Sequence, residues 1–297
     1  MVKGIKDLLF DTVINILAFM LLAVVLFALI FVLSASLSDP HMVVTGKVVL
    51  LPKGFNLDAY SSLLKQADVW IGYKNSLFYT LIGTSINLFL TMMTAYPLSR
   101  KDFKGRTLVT VIFMITMYFS GGMISSFLLI KNIGIYNTLW ALILPGSVSV
   151  YNIIICRTYM QSSIPFEIQE SGKIDGCSNF GVFFRIVLPL SGPIIAVLTM
   201  FFALAHWNDY FNALLYISSR NKYPLQLFLA EILVRSQQTS IDAMMSEEEL
   251  IAAQRQADKA ELLKYALVVV ASLPFMVVYP LLQKYFVKGI MIGAIKG

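Results

Sequence analysis

The amino-acid sequence predicts an all-α membrane protein with six transmembrane helices, and three observations support this class. Of the 297 residues, 58% are hydrophobic and only 13% are charged, whereas a soluble domain typically has about 45–50% apolar and about 25% charged residues. Six windows without a charged residue are each long enough to cross a bilayer, which takes about 20 residues of helix. No run of alternating polarity, as in the strands of a membrane barrel, accompanies them. Helices are therefore expected, because they satisfy every backbone amide within one segment.

Each predicted span fills one of these windows. The first is too long for the core of a signal peptide and has no small-residue cleavage site after it, so it is expected to be retained in a mature protein that begins at Met1. Together the spans form a single transmembrane domain over residues 1–297. They are predicted at about 12–33, 75–99, 107–130, 137–157, 186–208 and 265–284.

Prolines and glycines interrupt several of these spans. Lipid cannot pair with the backbone groups that such a break leaves free, so each break must be covered by protein or line water. The breaks therefore predict either ordinary close packing of helices or a lined pathway, and both interpretations stay open. Pro97 ends the second span, Gly121-Gly122 splits the third, Pro145-Gly146 breaks the fourth, and Pro274 and Pro280 lie in the sixth.

Six spans place both termini on one side of the membrane. The turn RKDFKGR at 100–106 holds four basic residues, and short basic loops stay on the cytoplasmic side. Both termini and the charged loop 158–185 are therefore predicted to be cytoplasmic, and segments 34–74 and 209–264 to be external. Residues 236–262 are rich in helix formers and are interpreted as a solvated external helix rather than a docking site.

Composition also argues against other classes. The 23 Lys and Arg that give the net charge of +6 are scattered among loops without a basic face, so no nucleic-acid partner is expected. Cys156 and Cys177 lie at a predicted cytoplasmic loop, where thiols stay reduced, so no disulfide is expected. Only His41 and His206 are present, and no pattern of metal ligands emerges.

The charged loop has the pattern of two short helices joined by a turn. Pro165 suits the first helical position and Glu167 the first turn, where the helix dipole favours a carboxylate. A helix is predicted over 164–175. Gly176 suits the left-handed residue that closes it, and Ser178 can cap the next helix.

The second short helix carries an aromatic stripe. The i, i+3, i+4, i+7 spacing of one helix face is occupied by Phe180, Phe183, Phe184 and Val187. Pro189 then marks the junction with the fifth span. This stripe needs an apolar surface to lie on. The loop therefore has the features of a protrusion that another protein holds.

The loop also carries a recognisable spacing. The sequence ESG at 170–172 is followed by three residues and Gly176, then by nine residues and IVLP at 186–189. This resembles the EAA loop of bacterial ATP-binding-cassette importer permeases, whose pattern is E-A-A, three residues, G, nine residues, I-x-L-P. The sequence IPFE at 164–167 and WNDYFNAL at 207–214 are similar to the carbohydrate-importing branch, within which the chain resembles polysaccharide and oligosaccharide permeases related to the maltose-type second permease.

The resemblance covers essentially the whole chain and implies a type I ABC importer permease fold with cytoplasmic EAA coupling helices. It implies a bacterial cytoplasmic (inner) membrane location and four kinds of partner: a second homologous permease, expected as a heterodimer, a cytoplasmic ATPase dimer, an extracytoplasmic sugar-binding protein and membrane lipids. No phosphate-binding G-x-x-x-x-G-K-[ST] sequence occurs in the chain. ATP-Mg is therefore expected in the partner ATPase, with no cofactor and no enzymatic activity in this chain.

The resemblance further implies which residues meet the ATPase. Glu170 would pair with a basic residue of the ATPase, and the small residues Ser171, Gly172 and Gly176 would permit close approach. Ser171 and Gly172 replace the two alanines of the family pattern. Glu167 and Asp175 could equally be ordinary helix-end charges. The candidate coupling residues are Glu167, Glu170, Ser171, Gly172, Asp175 and Gly176. The basic tail 284–297 is expected either to reach the ATPase dimer or to act as a cytoplasmic anchor.

Candidate substrate contacts follow from sugar chemistry. Aromatic rings pack on the C–H faces of sugars, and amides hydrogen-bond their hydroxyl groups. Each candidate could instead be a packing or interface residue, and His206 could bond either substrate or a backbone carbonyl. The candidates are Tyr118, Trp140, Tyr151, Asn152, Trp207 and Asn208.

Two other functions were weighed. An ion-coupled secondary sugar transporter would carry carboxylates inside its spans, and the charge-free windows hold none. A multi-span membrane enzyme would show a polar cluster at one membrane face, and the sequence shows none. The permease of an ATP-driven, binding-protein-dependent importer of oligosaccharides or polysaccharide fragments is therefore the predicted function.

Overall fold

The computed structural model describes residues 5–237, 257–258, 261–280 and 283. These residues form helices and turns, with no strand among them. Three of the helices are long and apolar enough to cross a membrane, and two bent pairs of helices would each add one span, which gives up to five within the part described. The all-α membrane class is confirmed, whereas the number of six spans stays a prediction.

The chain divides into two compact units, residues 1–69 with 229–273 and residues 70–228 with 274–297. A π-helical turn, Phe183–Val187, joins α10 to α11, and a 3₁₀ turn, Arg220–Lys222, precedes α14. The helices in chain order are α1 (Ile5–Ser36), α2 (Pro40–Val44), α3 (Asp58–Leu64), α4 (Ala67–Ser99), α5 (Arg106–Tyr118), α6 (Gly122–Asn132), α7 (Trp140–Ile143), α8 (Val150–Ser163), α9 (Phe166–Ile174), α10 (Asn179–Val182), α11 (Leu188–Leu190), α12 (Gly192–Trp207), α13 (Phe211–Tyr216), α14 (Leu225–Gln237) and α15 (Glu261–Pro280).

The first unit is organised around the end of α1. The Tyr60 hydroxyl lies 2.7 Å from Ser36 Oγ, and the ring of Phe31 packs edge-on against Tyr265 of α15, with 5.8 Å between centroids. Most of α1 before this end exposes apolar side chains such as Phe19. An apolar helix without a protein cover suits contact with lipid.

α4, with 33 residues the longest helix among the described residues, contributes to the second unit from residue 70 onward. Ser76 Oγ accepts a hydrogen bond of 2.8 Å from Leu225 N, at the beginning of α14. Asn75 Nδ2 donates to the carbonyl of Tyr223 at 3.0 Å. Pro97 was expected to end this span, but it lies inside the last turn of α4, which continues to Ser99.

The third predicted span, 107–130, is two helices rather than one. α5 ends at Tyr118 and α6 begins at Gly122, with an angle of 108° between them. Gly122 has a φ of +80°, a conformation that a side chain would strain. The break therefore occurs at the predicted glycine pair.

The fourth and fifth predicted spans are also interrupted. Residues 137–157 form α7, an irregular stretch at 144–149 that contains Pro145-Gly146, and then the first part of α8. Residues 186–208 begin in the π-helical turn, and the helical segment Asn179–Leu190 meets α12 at 81°. The predicted external helix at 236–262 lies almost entirely outside the described residues, and the tail 284–297 lies entirely outside them.

A hydrophobic core joins α4 and α8 to the segment from α10 to α12. Its side chains are buried, and partly buried apolar residues surround them. This core fixes the charged loop to the membrane-spanning part of the second unit. Its buried members are Met92, Ala95, Tyr96, Leu98, Ile153, Cys156, Met160, Ile164, Val182, Phe183, Val187, Ile194, Leu198 and Phe202.

Candidate functional site

The charged loop folds as the predicted helix, turn and helix. Pro165 has extended backbone angles and caps α9, rather than occupying its first helical position as predicted. Gly176 adopts a φ of +83° in the turn after α9. Ser178 Oγ then accepts a hydrogen bond of 3.1 Å from Gly181 N and caps α10.

The aromatic stripe after this turn is divided between core and surface. Phe183 and Val187 are buried, whereas Phe180 and Phe184 are exposed. Phe183 packs against Tyr96 of α4, with 5.1 Å between ring centroids. Half of the predicted stripe therefore anchors the loop within the chain, and the other half remains available to lipid or a partner.

One face of α9 is buried against the chain. Gln169 is only 5% exposed, and Gly172 is buried beside it. A Cβ atom at Gly172 would lie 2.5 Å from Ile186 Cδ1 and 3.5 Å from Val182 Cγ2. Gly172 therefore permits close approach of Ile186 in the same chain, and its predicted contact with a partner stays a prediction.

The opposite face of α9 is open. Glu167, Glu170, Ser171 and Asp175 are exposed, and so is Gly176 in the turn. Ser171 Oγ donates back to the carbonyl of Ile168 at 3.0 Å. Ile168 and Ile174 are exposed among the carboxylates. A helix with acidic and apolar groups on one open face is suited to a protein surface that offers basic groups and an apolar cleft.

A charged bridge ties α9 to the end of α4, and we call it the Arg100–Asp102–Lys173 bridge. Arg100 donates to both carboxylate oxygens of Asp102, at 2.8 Å from Nε and 2.6 Å from Nη2. Lys173 Nζ of α9 lies 3.1 Å from Asp102 Oδ2. Arg100 also donates to the Tyr96 hydroxyl at 2.9 Å and lies 5.9 Å from the ring centroid of Phe166 in α9. Both ends of α9 therefore contact the residues that follow α4.

The bridge is electrostatically well matched. The hydrogen bonds from Arg100, and secondly the one from Lys173, hold the pKa of the Asp102 carboxyl well below its usual range. The hydrogen bond to Asp102 in turn raises the pKa of Arg100, whose side chain is only 7% exposed. Both groups are therefore charged at neutral pH. This role of the turn RKDFKGR was not predicted from the sequence, although an Arg two residues before an Asp at a helix end could have indicated it.

A second candidate site is a polar cavity of about 300 Å³. It lies where α4, the irregular stretch 144–149 and the end of α12 meet. Irregular backbone at membrane depth is tolerated where it lines such a cavity. The polar side chains that line it belong to Asn87, Ser149, Asn152, His206, Asp209 and Asn212, and the aromatic ones to Phe201 and Phe202.

Asn87 and His206 form the centre of this polar cavity. Asn87 Nδ2 lies 3.1 Å from His206 Nε2 and donates to the Gly146 carbonyl at 3.3 Å. Asn87 is only 2% exposed, and its Oδ1 atom has no hydrogen-bond partner among the described residues. Gly83, one turn earlier, makes room for the imidazole, because a Cβ there would overlap the ring.

Asp209 brings the charge to this cavity. Its two carboxylate oxygens accept hydrogen bonds from Asn212, at 3.1 Å from the backbone N and 2.9 Å from Nδ2. These bonds hold the carboxylate beside the first turn of α13. No lysine or arginine belongs to the described lining, so the cavity offers neutral polar groups and one negative charge.

The predicted substrate contacts are dispersed, and of the six only Asn152 lines the polar cavity. Trp207 is buried and packs edge-on against Tyr73 and Phe275, so it has a packing role. Asn208 lies beside Gln226, with 3.4 Å between Oδ1 and Nε2. Tyr118, Trp140 and Tyr151 are exposed. Sequence analysis missed Asn87, Asp209 and Asn212, because single polar residues within apolar windows have no spacing that groups them.

Within the described ranges, no group of three His, Cys, Asp or Glu residues could hold a metal ion. Cys156 is buried and Cys177 is partly exposed, and both are free thiols.

The long apolar helices, the open acidic face of α9 and the polar cavity beside irregular backbone are typical of a membrane transport protein. The family model described as "Binding-protein-dependent transport system inner membrane component" matches residues 2–292. The chain belongs to this family and is a permease subunit of a binding-protein-dependent ABC transporter. The predicted class of function is confirmed, and the ion-coupled alternative is not supported.

Named relatives agree with this family. The polygalacturonan/rhamnogalacturonan transport system permease protein YtcP of Bacillus subtilis is 39% identical over 292 residues, which cover 98% of this chain and 100% of the relative. Protein LplC of the same species is 38% identical over 275 residues, with coverage of 93% and 90%. The crystal structure of a bacterial ABC transporter involved in the import of the acidic polysaccharide alginate contains a similar chain, with a TM-score of 0.82, 29% identity, and coverage of 96% of this chain and 99% of that one.

Proposed function

We propose that this permease imports oligosaccharides or polysaccharide fragments together with a second homologous permease, a cytoplasmic ATPase dimer and an extracytoplasmic sugar-binding protein. The saccharide class is supported by the substrates that the names of similar proteins state, among them polygalacturonan and rhamnogalacturonan. ATP-Mg is bound by the ATPase and not by this chain. Both termini and α9 face the cytoplasm, in the cytoplasmic membrane of a bacterium.

The observation that carries the coupling proposal is the two-sided character of α9. Its inner face is fixed by the core and by the Arg100–Asp102–Lys173 bridge, while Glu167, Glu170 and Asp175 remain exposed. A short helix held on one side and open on the other can transmit force as a rigid element. Glu170 on the open face then pairs with a basic residue of the ATPase.

The mechanism follows from this attachment. Closure of the ATPase dimer on ATP moves α9 together with the residues that follow α4, because the Arg100–Asp102–Lys173 bridge joins them. The core between α4, α8 and α12 carries the displacement into the membrane. The permease pair thereby changes between inward-open and outward-open states, and the saccharide passes along the interrupted helices, with Asn152 as a contact and Tyr118, Trp140 and Tyr151 as further candidates.

Glu170→Lys tests the coupling assignment. We expect normal membrane insertion but at least a tenfold loss of ATPase co-purification and of binding-protein-stimulated ATP hydrolysis, because the variant places a positive charge against a basic partner. Glu170→Gln should reduce ATPase co-purification and stimulated hydrolysis less, because it removes the attraction to the basic residue without adding a repulsion. Asp58→Lys makes the same charge change at an exposed residue of the predicted external segment 34–74 and serves as the control for membrane insertion and ATPase co-purification. Normal co-purification and uptake by Glu170→Lys would refute the assignment.

A further inference from the structure

The polar cavity contains a buried acceptor that calls for a ligand. Asn87 is 2% exposed, its amide nitrogen is engaged by the Gly146 carbonyl and by His206, and its Oδ1 atom is unpartnered among the described residues. Buried polar atoms are rarely left without a hydrogen bond. Because Asn87, unlike the buried and unpartnered Thr91, lines the cavity, a donor group that enters the cavity can complete this site with a hydrogen bond to Asn87 Oδ1.

The charge of the cavity selects among possible donors. Asp209 is the charged residue in the described lining, and no cation there offsets it. A carboxylate group can only accept hydrogen bonds, so it cannot itself satisfy Asn87 Oδ1, and beside Asp209 it would be a like charge. A hydroxyl group can donate to both, and it can also accept hydrogen bonds from the amides.

The rest of the wall suits the apolar face of a ring. Phe201 and Phe202 line the cavity beside the polar residues. Aromatic side chains with a few placed amides are the usual composition of a small-molecule site. The volume of about 300 Å³ lies at the lower end of such sites, at about 300–1,000 Å³, so the cavity has room for a small portion of a longer chain.

We propose that this cavity binds an uncharged sugar unit through its hydroxyl groups and disfavours a uronate at the same position. Asn87 accepts from one hydroxyl, Asp209 accepts from another, and Asn152 supplies a further amide. The proposal rests on the saccharide-importing function proposed above and adds a preference at one position. The preference is assigned to this one cavity and does not exclude uronate units elsewhere along an imported chain.

A matched pair of sugars tests the charge preference. The assembled transporter in lipid nanodiscs, without binding protein, is titrated with labelled trigalacturonate and with its carboxyl-reduced neutral counterpart. We expect the neutral trimer to bind at least tenfold more tightly. Asp209→Asn keeps an oxygen that can accept the hydrogen bond from Asn212 N but removes the charge. It should therefore raise the affinity for trigalacturonate several-fold and narrow the ratio between the affinities for the two trimers.

A merely structural role of Asp209 would change both affinities equally and leave the ratio untouched. That result would overturn the proposal. Equal affinities in the wild-type transporter, or no binding of the neutral trimer, would also overturn it.

Asn87→Leu tests the acceptor. We expect at least a tenfold loss of affinity for the neutral trimer. Thr91→Val is the matched control, because Thr91 lies one turn further along α4, is fully buried with an unpartnered hydroxyl, and does not line the cavity. Equal losses in both variants would mean that packing, and not ligand contact, explains the effect, and would refute the role of Asn87.

ATP-dependent uptake with the binding protein present separates this inference from the proposed function. If the wild-type transporter imports saccharide but Asp209→Asn leaves the ratio between the affinities for the two trimers unchanged, the cavity inference alone fails. If it imports no saccharide of any kind, the proposed function fails.

Discussion

Lys173 Nζ of α9 lies 3.1 Å from Asp102 Oδ2, and the same carboxylate accepts two hydrogen bonds from Arg100 at the end of α4. The two halves of this bridge differ in strength. Lys173 and Asp102 are 37% and 46% exposed, so their pair is of the surface type, worth about 0.2–1 kcal/mol. Arg100 is only 7% exposed and depends on Asp102 to offset the loss of hydration. Asp102 is therefore the residue through which α9 is fixed to α4.

Asp102→Asn is expected to lower the free energy of unfolding by about 1.5–3 kcal/mol, the range for hydrogen bonds to charged groups. Lys173→Gln should cost less than about 1 kcal/mol. Chemical or thermal unfolding of the purified transporter in nanodiscs measures both. Asp102→Asn should also reduce binding-protein-stimulated ATP hydrolysis more than basal hydrolysis, because α9 is then less firmly joined to α4. Equal losses of stability in the two variants would contradict the conclusion that the Arg100–Asp102 bonds contribute more than the Lys173–Asp102 pair.

The bridge also has an expected pH dependence. Because Arg100 and Lys173 hold the pKa of Asp102 below its unfolded value of about 3.9, the stabilisation is complete above that value and declines as pH falls below it. The stability difference between wild type and Asp102→Asn should therefore be constant from about pH 5 to pH 8 and shrink below about pH 4. Unfolding temperatures of the two proteins across this range test it. A difference that changes between pH 5 and pH 8 would show that another group is responsible.

Periodic and local signals in the sequence predicted much of this architecture. Charge-free windows predicted helices, and Gly176 and Ser178 marked a turn and a cap, because backbone conformation and capping depend on neighbouring residues. The bridge from Asp102 to Lys173 and the meeting of Asn87 with His206 were not predictable. Each joins residues more than 70 positions apart, and such contacts depend on how helices pack.

The replacement of the second family alanine by Gly172 yields a further prediction. Alanine stabilises a helix by about 1 kcal/mol relative to glycine, but here its Cβ would meet Ile186 Cδ1 at 2.5 Å. Because Cδ1 is the end of a flexible side chain, we expect Gly172→Ala to change stability by less than about 1 kcal/mol. In an Ile186→Val background, which removes this atom, the same substitution should stabilise by about 1 kcal/mol. A double-mutant cycle measured by unfolding tests the coupling, and strict additivity would contradict the contact.

Asn137 yields a prediction that separates backbone conformation from hydrogen bonding. It has a φ of +58°, which costs a residue with a side chain roughly 1–2 kcal/mol unless local bonds compensate. Asn137 Oδ1 accepts from the backbone N atoms of Ser218 and Ser219, at 3.2 Å and 3.1 Å, and Nδ2 donates to Ser219 Oγ at 2.8 Å. These bonds connect the turn before α7 to the segment after α13.

Asn137→Ala loses these bonds and retains the strain, whereas Asn137→Gly loses the bonds but relieves the strain. We therefore expect both variants to be less stable than the wild type, with alanine about 1 kcal/mol worse than glycine. Unfolding of the two variants in nanodiscs measures this difference. If alanine were as stable as glycine, the turn would have to adopt a different backbone conformation, and the connection between α7 and α13 would not depend on the left-handed residue.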